Sequence, residues 1–270
     1  MKKVVAIVKF ILFWLWVALQ LPVALALWPF GRQVCVWHAK VVMFVVSKIG
    51  GIRVRVHGKL ADVRPLLLVG NHISVFEFAA FPVAFGGGFF GKHEISKIPI
   101  IGWLTKRLGV IFVSRKASDA AKMVQLIDRQ MSGVTWPMVI YPEGTTSNGS
   151  IVLPFKSSMF DFIEKGANIA VQPMVMLYRS KHGNPIDDKT MANDYAYFDN
   201  AKMPAGAALC RRERSAAGQL FHILELGGFM VEFHLLPPVD LAGLNRKEMA
   251  AKLHHIVENK FMELKEKKNV

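Results

Sequence analysis

Apolar positions along the chain fall into three patterns. The first is an unbroken run. Residues 10–30 carry no charged side chain, and a spanning helix needs about 20 consecutive apolar residues. Trp14, Trp16 and Trp28 suit interfacial depth, and Pro22 is expected to kink the helix. The competing reading is a cleaved secretory signal, with Met1-Lys2-Lys3 as its basic start and Ala24-Leu25-Ala26 as the cleavage site. Lys9 beside the run and the apolar sequence that follows favour an uncleaved anchor. The second pattern, residues 34–49, is apolar but interrupted by His38, Lys40 and Lys48. It reads as an amphipathic or re-entrant helix packed on the first.

The third pattern begins near residue 52, where short strand-like runs alternate with helical ones. Residues 52–57 (IRVRVH) alternate with period two and predict an edge strand. Residues 66–69 (LLLV) form a short continuous run, as expected of a strand buried on both faces. A helix is predicted over 75–85, ended by Gly86-Gly87-Gly88. Strands follow at 89–95 and 110–114, on either side of a short helix at 99–107. The period at Ala121, Val124, Ile127 and Met131 predicts an amphipathic helix over 117–131. Then come strand 138–141, helix 157–165, strand 169–178, strand 230–236 and a helix over 245–267 that ends basic. Residues 179–210 are polar and turn-rich and read as a surface excursion. The order is that of an α/β domain without internal repeats. It divides into 1–50 as membrane-anchoring helices, 51–240 as the α/β domain and 241–270 as a basic amphipathic helix.

Composition sharpens this in one respect. The 270 residues are 52% hydrophobic, with a mean hydropathy of +0.30, a net charge of +14 and a pI near 9.9. So large a positive excess points to an anionic partner surface, either nucleic acid or anionic lipid. No zinc finger, RNP box or basic zipper is present, and the apolar amino terminus selects lipid over nucleic acid. Cys35 and Cys210 are the only cysteines and supply no disulfide framework, which is consistent with a reducing compartment around the catalytic domain.

Two polar clusters sit where buried strands end, which is where open α/β sheets place their ligands. After the strand at 66–69 comes Asn71-His72-Ile73-Ser74-Val75-Phe76-Glu77. A His with a carboxylate five positions on suits a general base and its orienting partner. The pair can meet only if His72 lies outside the following helix. A different role for Glu77 is capping, because Ser74-x-x-Glu77 is a capping box. After the strand at 138–141 comes Tyr141-Pro142-Glu143-Gly144-Thr145-Thr146-Ser147. Here Gly144 can let backbone amides approach a phosphate or an oxyanion, Thr145 adds a hydroxyl, and Glu143 can organise the loop. Lys92 and Arg115, near strand ends, are candidate anion ligands, Arg115 by a bidentate grip. Lys97, Lys106 and Arg107 read as a membrane-facing basic face. His93-Glu94-Ile95-Ser96-Lys97 lacks the second His of a zinc-protease helix. A Gly-x-Ser-x-Gly elbow is absent, and no metal site is visible.

Taken together, these blocks resemble the glycerolipid acyltransferase superfamily, and within it the 1-acylglycerol-3-phosphate O-acyltransferases. The first block, NHISVFE, matches the family's Asn-His-x-Ser-x-x-Asp. The second runs from Lys92-x-Glu94-Ile95 through Pro99 and Gly102 to Val110-Ile111-Phe112-Val113-Ser114-Arg115. The third is YPEGTT, and the fourth is Val171-Gln172-Pro173-Met174. The resemblance implies a single mixed sheet flanked by helices behind an amino-terminal helix pair that dips into one leaflet. It implies His72 as base and Glu77 as its partner, with Lys92, Arg115, Glu143, Gly144 and Thr145 binding substrate. The implied donor is acyl-CoA or acyl carrier protein, with no cofactor and no metal. The implied acceptor is a lysophospholipid, with 1-acyl-sn-glycerol 3-phosphate leading. The implied setting is the bacterial inner membrane, with the domain facing the cytoplasm. Two departures bear on this. Glu77 stands where the family has Asp, which keeps the charge on a longer arm. Thr146 stands where the family has Arg, which removes a cation expected to help hold the acceptor's phosphate. A lyso-ornithine lipid or a zwitterionic lysophospholipid is therefore an alternative acceptor, and a non-catalytic lipid-binding scaffold is an alternative role.

Overall fold

A computed structural model describes residues 2–92, 96, 109–113, 120–131, 133–197, 203 and 214–266. The chain opens with helix α1 (Lys2–Leu27), a 3-10 turn at Trp28–Phe30 and helix α2 (Arg32–Gly50). Both helices are long and apolar enough to cross a membrane by length and composition. Along α1, Val4, Ile7, Ile11, Trp14 and Leu15 are all about half exposed or more. An apolar surface of that size is stable in lipid and costly in water. Pro22 lies inside α1, and the helix continues through it. Cys35 is buried on α2.

The α/β domain is a seven-stranded mixed sheet: β1 (Arg53–His57), β2 (Leu66–Gly70), β3 (Gly88–Lys92), β4 (Ile111–Val113), β5 (Met138–Ile140), β6 (Ala170–Ser180) and β7 (Phe229–Leu235). Their spatial order is β1-β7-β6-β2-β5-β3-β4. All neighbours run parallel except β6 and β7. As its alternating pattern predicted, β1 is an edge strand. Every residue of β2 is buried, and its side chains feed two cores in turn. Leu66 and Leu68 enter the core shared with α3 (Glu77–Phe85), where Ala80, Phe81 and Phe233 pack. Leu67 and Val69 enter the opposite core. There the amphipathic helix α4 (Ala120–Met131) contributes Ile127 and Met131. The long carboxy-terminal helix, Arg246–Glu266, adds Leu253, Val257 and Phe261. Burying a side chain of this size stabilises by about 1.5–3 kcal/mol, so a double-faced strand such as β2 is held from both sides.

The reading of residues 179–210 as a surface excursion needs correction. β6 runs on to Ser180, and after a turn the chain forms a short helix, Asp188–Thr190, and a π-turn at Met191–Tyr195. Met191, Ala192, Tyr195 and Ala196 are buried in the core on the α3 side. Too few apolar positions lie too close together there to show a helical or strand period. A helix at Ala216–Leu226 was also not expected. Its cap is the Ser215 hydroxyl, accepting from Gly218 N at 3.1 Å. It packs on α1, where Phe221 meets Phe10 edge-on at 5.7 Å.

The end of α2 crosses the turn into β7 at very close range. Gly51 (φ +70°) caps α2, and a Cβ there would approach the Gly227 carbonyl oxygen to 2.5 Å. Gly228 (φ +98°) faces it, and a Cβ would collide with the Gly51 carbonyl. Only glycine tolerates both the left-handed backbone and the contact. Gly51→Ala or Gly228→Ala is expected to cost about 1–3 kcal/mol, read as a lowered thermal midpoint in detergent. Gly133→Ala, with a similar φ of +73° and open space, is expected to lose less.

Candidate active site

The two polar clusters converge because β2 and β5 are parallel neighbours, with Val69 opposite Ile140. Both loops therefore leave the sheet at the same edge. Asn71 fixes the first loop. Its side-chain amide donates to Met176 O at 3.0 Å and its carbonyl accepts from Met176 N at 2.7 Å. A buried side chain here stands in for a strand's ladder bonds and ties the exit of β2 to β6. This role was not read from the sequence.

The structure brings His72 and Glu77 together. Nδ1 of His72 donates to Oε2 of Glu77, and the Glu77 carboxylate is fully buried. The other oxygen, Oε1, accepts the backbone N–H groups of Ile73 and Ser74, both at 2.8 Å, and the Tyr178 hydroxyl at 3.3 Å. Burying an ionised carboxylate is costly unless donors surround it, and these four donors meet that cost. Binding the loop amides and orienting the ring thus coexist, one oxygen each. The expected capping box forms only in half. The Glu77 carboxylate reaches back to the Ser74 amide, but α3 begins at Glu77 with Phe76 at its cap and no side-chain cap bond.

With Nδ1–H committed to Glu77, the His72 tautomer leaves a lone pair on Nε2. Among the described residues Nε2 has no partner, and the side chain is 14% exposed. The ring stacks on Tyr141 at 4.4 Å between centroids, with planes 8° apart. Burial, and then the charge of Glu77, push the Tyr141 and Tyr178 phenols well above their ordinary range. Both therefore remain neutral, and Tyr178 stays a donor to Glu77.

The second loop docks onto the first. Glu143, also buried, accepts the His72 backbone N–H on Oε1 at 2.8 Å. Ser147 N donates back to His72 O at 2.6 Å. Burial pushes the Glu143 carboxyl well above its usual range. The amides of His72 and Leu153 oppose the shift, Glu77 adds to it, and Lys156 opposes it. Gly144 adopts φ +67° in the turn, against the Lys156 side chain. Its own N–H closes the turn onto Tyr141 O at 3.0 Å. Gly144 N–H is therefore spent and cannot serve an oxyanion. The amides of Thr145 and Thr146 donate to no acceptor among the described residues. The Thr146 hydroxyl donates to Tyr197 O at 2.5 Å. Lys92 ends β3 in register with Val113. Arg115 lies outside the described residues, as do Glu94, Lys97, Lys106 and Arg107.

An apolar cavity of about 760 Å³ lies between α1, α2, α3 and the Ala216–Leu226 helix. Its wall includes Phe13, Leu21, Met43 and, on the segment joining His72 to α3, Val75 and Phe76. Gln20 and His38 are polar points in that wall and bond each other at 2.9 Å.

A strand-exit His paired with a buried carboxylate, on a mixed sheet beside an apolar chamber, can supply a general base next to an apolar ligand. Residues 53–177 match a family model described as Acyltransferase. A lyso-ornithine lipid O-acyltransferase of Pseudomonas aeruginosa is 30% identical over 205 residues, covering 76% of this chain and 70% of that protein. One from Brucella abortus is 33% identical over 147 residues, covering 52% of this chain and 54% of that protein. The chain thus spans about half the length of that relative. The crystal structure of the 1-acyl-sn-glycerophosphate acyltransferase PlsC from Thermotoga maritima shares the fold, with a TM-score of 0.63, 98% coverage of each chain and 17% identity. The chain belongs to the glycerolipid acyltransferase family.

Two outcomes follow from the site. Glu77→Gln leaves one oxygen, which the Ile73 and Ser74 amides retain, and turns an NH2 toward His72. Nδ1 must then accept and Nε2 carries the proton, so the base is lost. Activity is expected to fall about 10³–10⁴-fold with little change in thermal stability, and Glu77→Asp to retain more activity than Glu77→Gln. Equal rates for wild type and Glu77→Gln would reduce Glu77 to an anchor for the Ile73 and Ser74 amides. For Glu143, a folded carboxyl raised above its unfolded value contributes stability that is full below the unfolded value. That contribution is lost as pH rises through the folded one. Glu143→Gln, which keeps the acceptor for His72 N–H, should therefore gain thermal stability relative to wild type as pH rises across that window. A pH-independent difference between the two melting curves would contradict this.

Proposed function

We propose that this protein is an O-acyltransferase that moves a fatty acyl chain from an acyl thioester to the free hydroxyl of a lysolipid at a membrane. The observation that carries this reading is the His72 Nδ1–H bond to the buried Glu77 carboxylate, which leaves Nε2 open as a base. Nε2 takes the proton of the acceptor hydroxyl as the oxygen attacks the thioester carbonyl. The new C–O bond forms, the tetrahedral intermediate collapses and the C–S bond breaks. The imidazolium then returns its proton to the departing thiolate. Glu77 holds the ring and stabilises its charged form. The amides of Thr145 and Thr146, which meet no acceptor among the described residues, replace Gly144 N–H as the donors for the oxyanion. The 760 Å³ chamber suits an acyl chain, since its wall is almost wholly apolar. Lys92 and Arg115 serve the acceptor's headgroup.

Acyl-CoA or acyl carrier protein is the donor. For the acceptor, the curated relatives named above favour lyso-ornithine lipid. Thr146, whose hydroxyl serves Tyr197 and which carries no charge, supports that choice over 1-acyl-sn-glycerol 3-phosphate. Residues 1–50 anchor the protein, residues 51–240 carry the chemistry and residues 241–270 complete the domain. The setting is the bacterial inner membrane with the site on the cytoplasmic side, where the thioester donors are. The +14 charge adds about 1 kcal/mol of attraction per well-placed cation to anionic lipid.

The test is a membrane assay with labelled acyl-CoA and acyl carrier protein against lyso-ornithine lipid, lysophosphatidic acid and lysophosphatidylcholine. Lyso-ornithine lipid is expected to be the best acceptor. His72→Ala is expected to lower turnover at least about a hundredfold. Full turnover by a folded His72→Ala protein would sink the mechanism, and failure to acylate any lysolipid would sink the function.

A further inference from the structure

Residues 191–197 lie between the catalytic loops and the helix that rests on α1, and they are bonded to both. On the catalytic side, Tyr197 N donates to Ile73 O at 3.3 Å, and the Thr146 hydroxyl donates to Tyr197 O at 2.5 Å. Both polar loops thus hold the same peptide segment. Met191 packs so closely on Gly149 that a Cβ there would come within 2.6 Å of the Met191 Cγ. On the other side, Asn193 O accepts from Arg214 at 2.6 Å and Asp194 O accepts from the Gln219 side chain at 2.8 Å. The Asp194 carboxylate bonds His222 Nε2 at 2.9 Å. Gln219, Phe221 and His222 belong to the Ala216–Leu226 helix, and Phe221 is seated on Phe10 of α1.

Ile73 is the junction that makes this arrangement relevant to catalysis. Its N–H donates to Glu77 Oε1, the carboxylate that orients His72, while its C=O accepts from Tyr197. The peptide N–H on one side of this residue fixes the partner of the base, and the C=O on its other side is fixed by the segment at 191–197. That segment therefore holds the same residue whose N–H holds the Glu77 carboxylate.

We propose that residues 191–197 act as a strap that positions the His72–Glu77 pair, fastened at one end by the Thr146 hydroxyl and at the other by Asp194 to Gln219 and His222. The side chains of Thr146, Asp194 and His222 are accordingly positioning groups, whatever the Thr146 backbone amide does. The strap transmits the seating of the Ala216–Leu226 helix on α1 to the catalytic loop, so turnover depends on a contact made at the anchoring helix. This rests on the acyltransferase reading for its kinetic consequence but not for its structural one.

The experiment uses the full chain in lipid nanodiscs and compares Thr146→Val, Thr146→Ser, Asp194→Ala and Thr146→Val/Asp194→Ala. Small misplacements of reacting groups cost about ten- to a hundredfold in rate. Thr146→Val is expected to lower kcat about tenfold with the KM for the acyl donor unchanged, and Thr146→Ser to recover to within about twofold of wild type. Asp194→Ala should lose a similar amount. The double variant should lose no more than the worse single one, because both substitutions unfasten one device. Amide hydrogen exchange supplies a readout independent of turnover. The Ile73 and Ser74 amides, held by Glu77, should exchange faster in Thr146→Val and in Asp194→Ala than in wild type. Wild-type kcat in Thr146→Val, multiplying losses in the double variant, or unchanged exchange at Ile73 and Ser74 would each overturn the strap. If the wild-type chain acylates no lysolipid while exchange at Ile73 responds as expected, the strap stands and the proposed activity falls.

Discussion

The site depends on one buried charge. Glu77 is sealed from water, and a carboxylate in that position is tolerable only while donors occupy both of its oxygens. The Ile73 and Ser74 amides, the Tyr178 hydroxyl and the His72 ring fill those places. Each donor is delivered by a different constraint. The amides require the chain to turn tightly after β2. Tyr178 requires β6 to pair beside β2. His72 requires Asn71 to pin the strand's exit to Met176. The sheet, the loop and the helix start are therefore not independently adjustable. Moving any one exposes the carboxylate or strips it of a donor, and in either case the imidazole loses its orientation.

The second loop completes this arrangement without sharing its charge. Glu143 is buried beside a carboxylate, and burial and that neighbour both favour its neutral form. Its Oε1 accepts the His72 amide in either protonation state, so its work is geometric. The stacked Tyr141 ring closes one face of the imidazole. The ring is thus fixed by its plane, by one nitrogen and by its own backbone, and Nε2 is left without a partner among the described residues.

Much of this was legible in the residues because buried chemistry leaves a dense signal. The run LLLV read as a strand covered on both faces, and a His with a carboxylate just beyond its end read as a base with its partner or as part of a capping box. The limit was reached where burial is sparse. Between residues 179 and 210 a handful of apolar side chains is set among polar and turn-forming residues. Met191, Ala192, Tyr195 and Ala196 are buried through a single π-turn, which has no repeating period to detect. The Ala216–Leu226 helix was legible, since Ser215 and Gly227 are ordinary start and stop signals, yet it lay outside the expected elements. The Thr146 substitution read as the loss of a cation, and the bond its hydroxyl makes with Tyr197 could not be seen without the fold. Likewise, Gly144 suggested free amides, and its own is taken by Tyr141.

The crossing of Gly51 with the Gly227–Gly228 turn also bears on how substrate is found. Only two residues separate α2 from β1, and the backbones at this crossing are in contact. The catalytic edge therefore cannot swing on a tether. It is held at one depth and one azimuth relative to the helix pair. Under the proposed anchoring by α1 and α2, a lipid confined to a plane then searches only two dimensions at one fixed height.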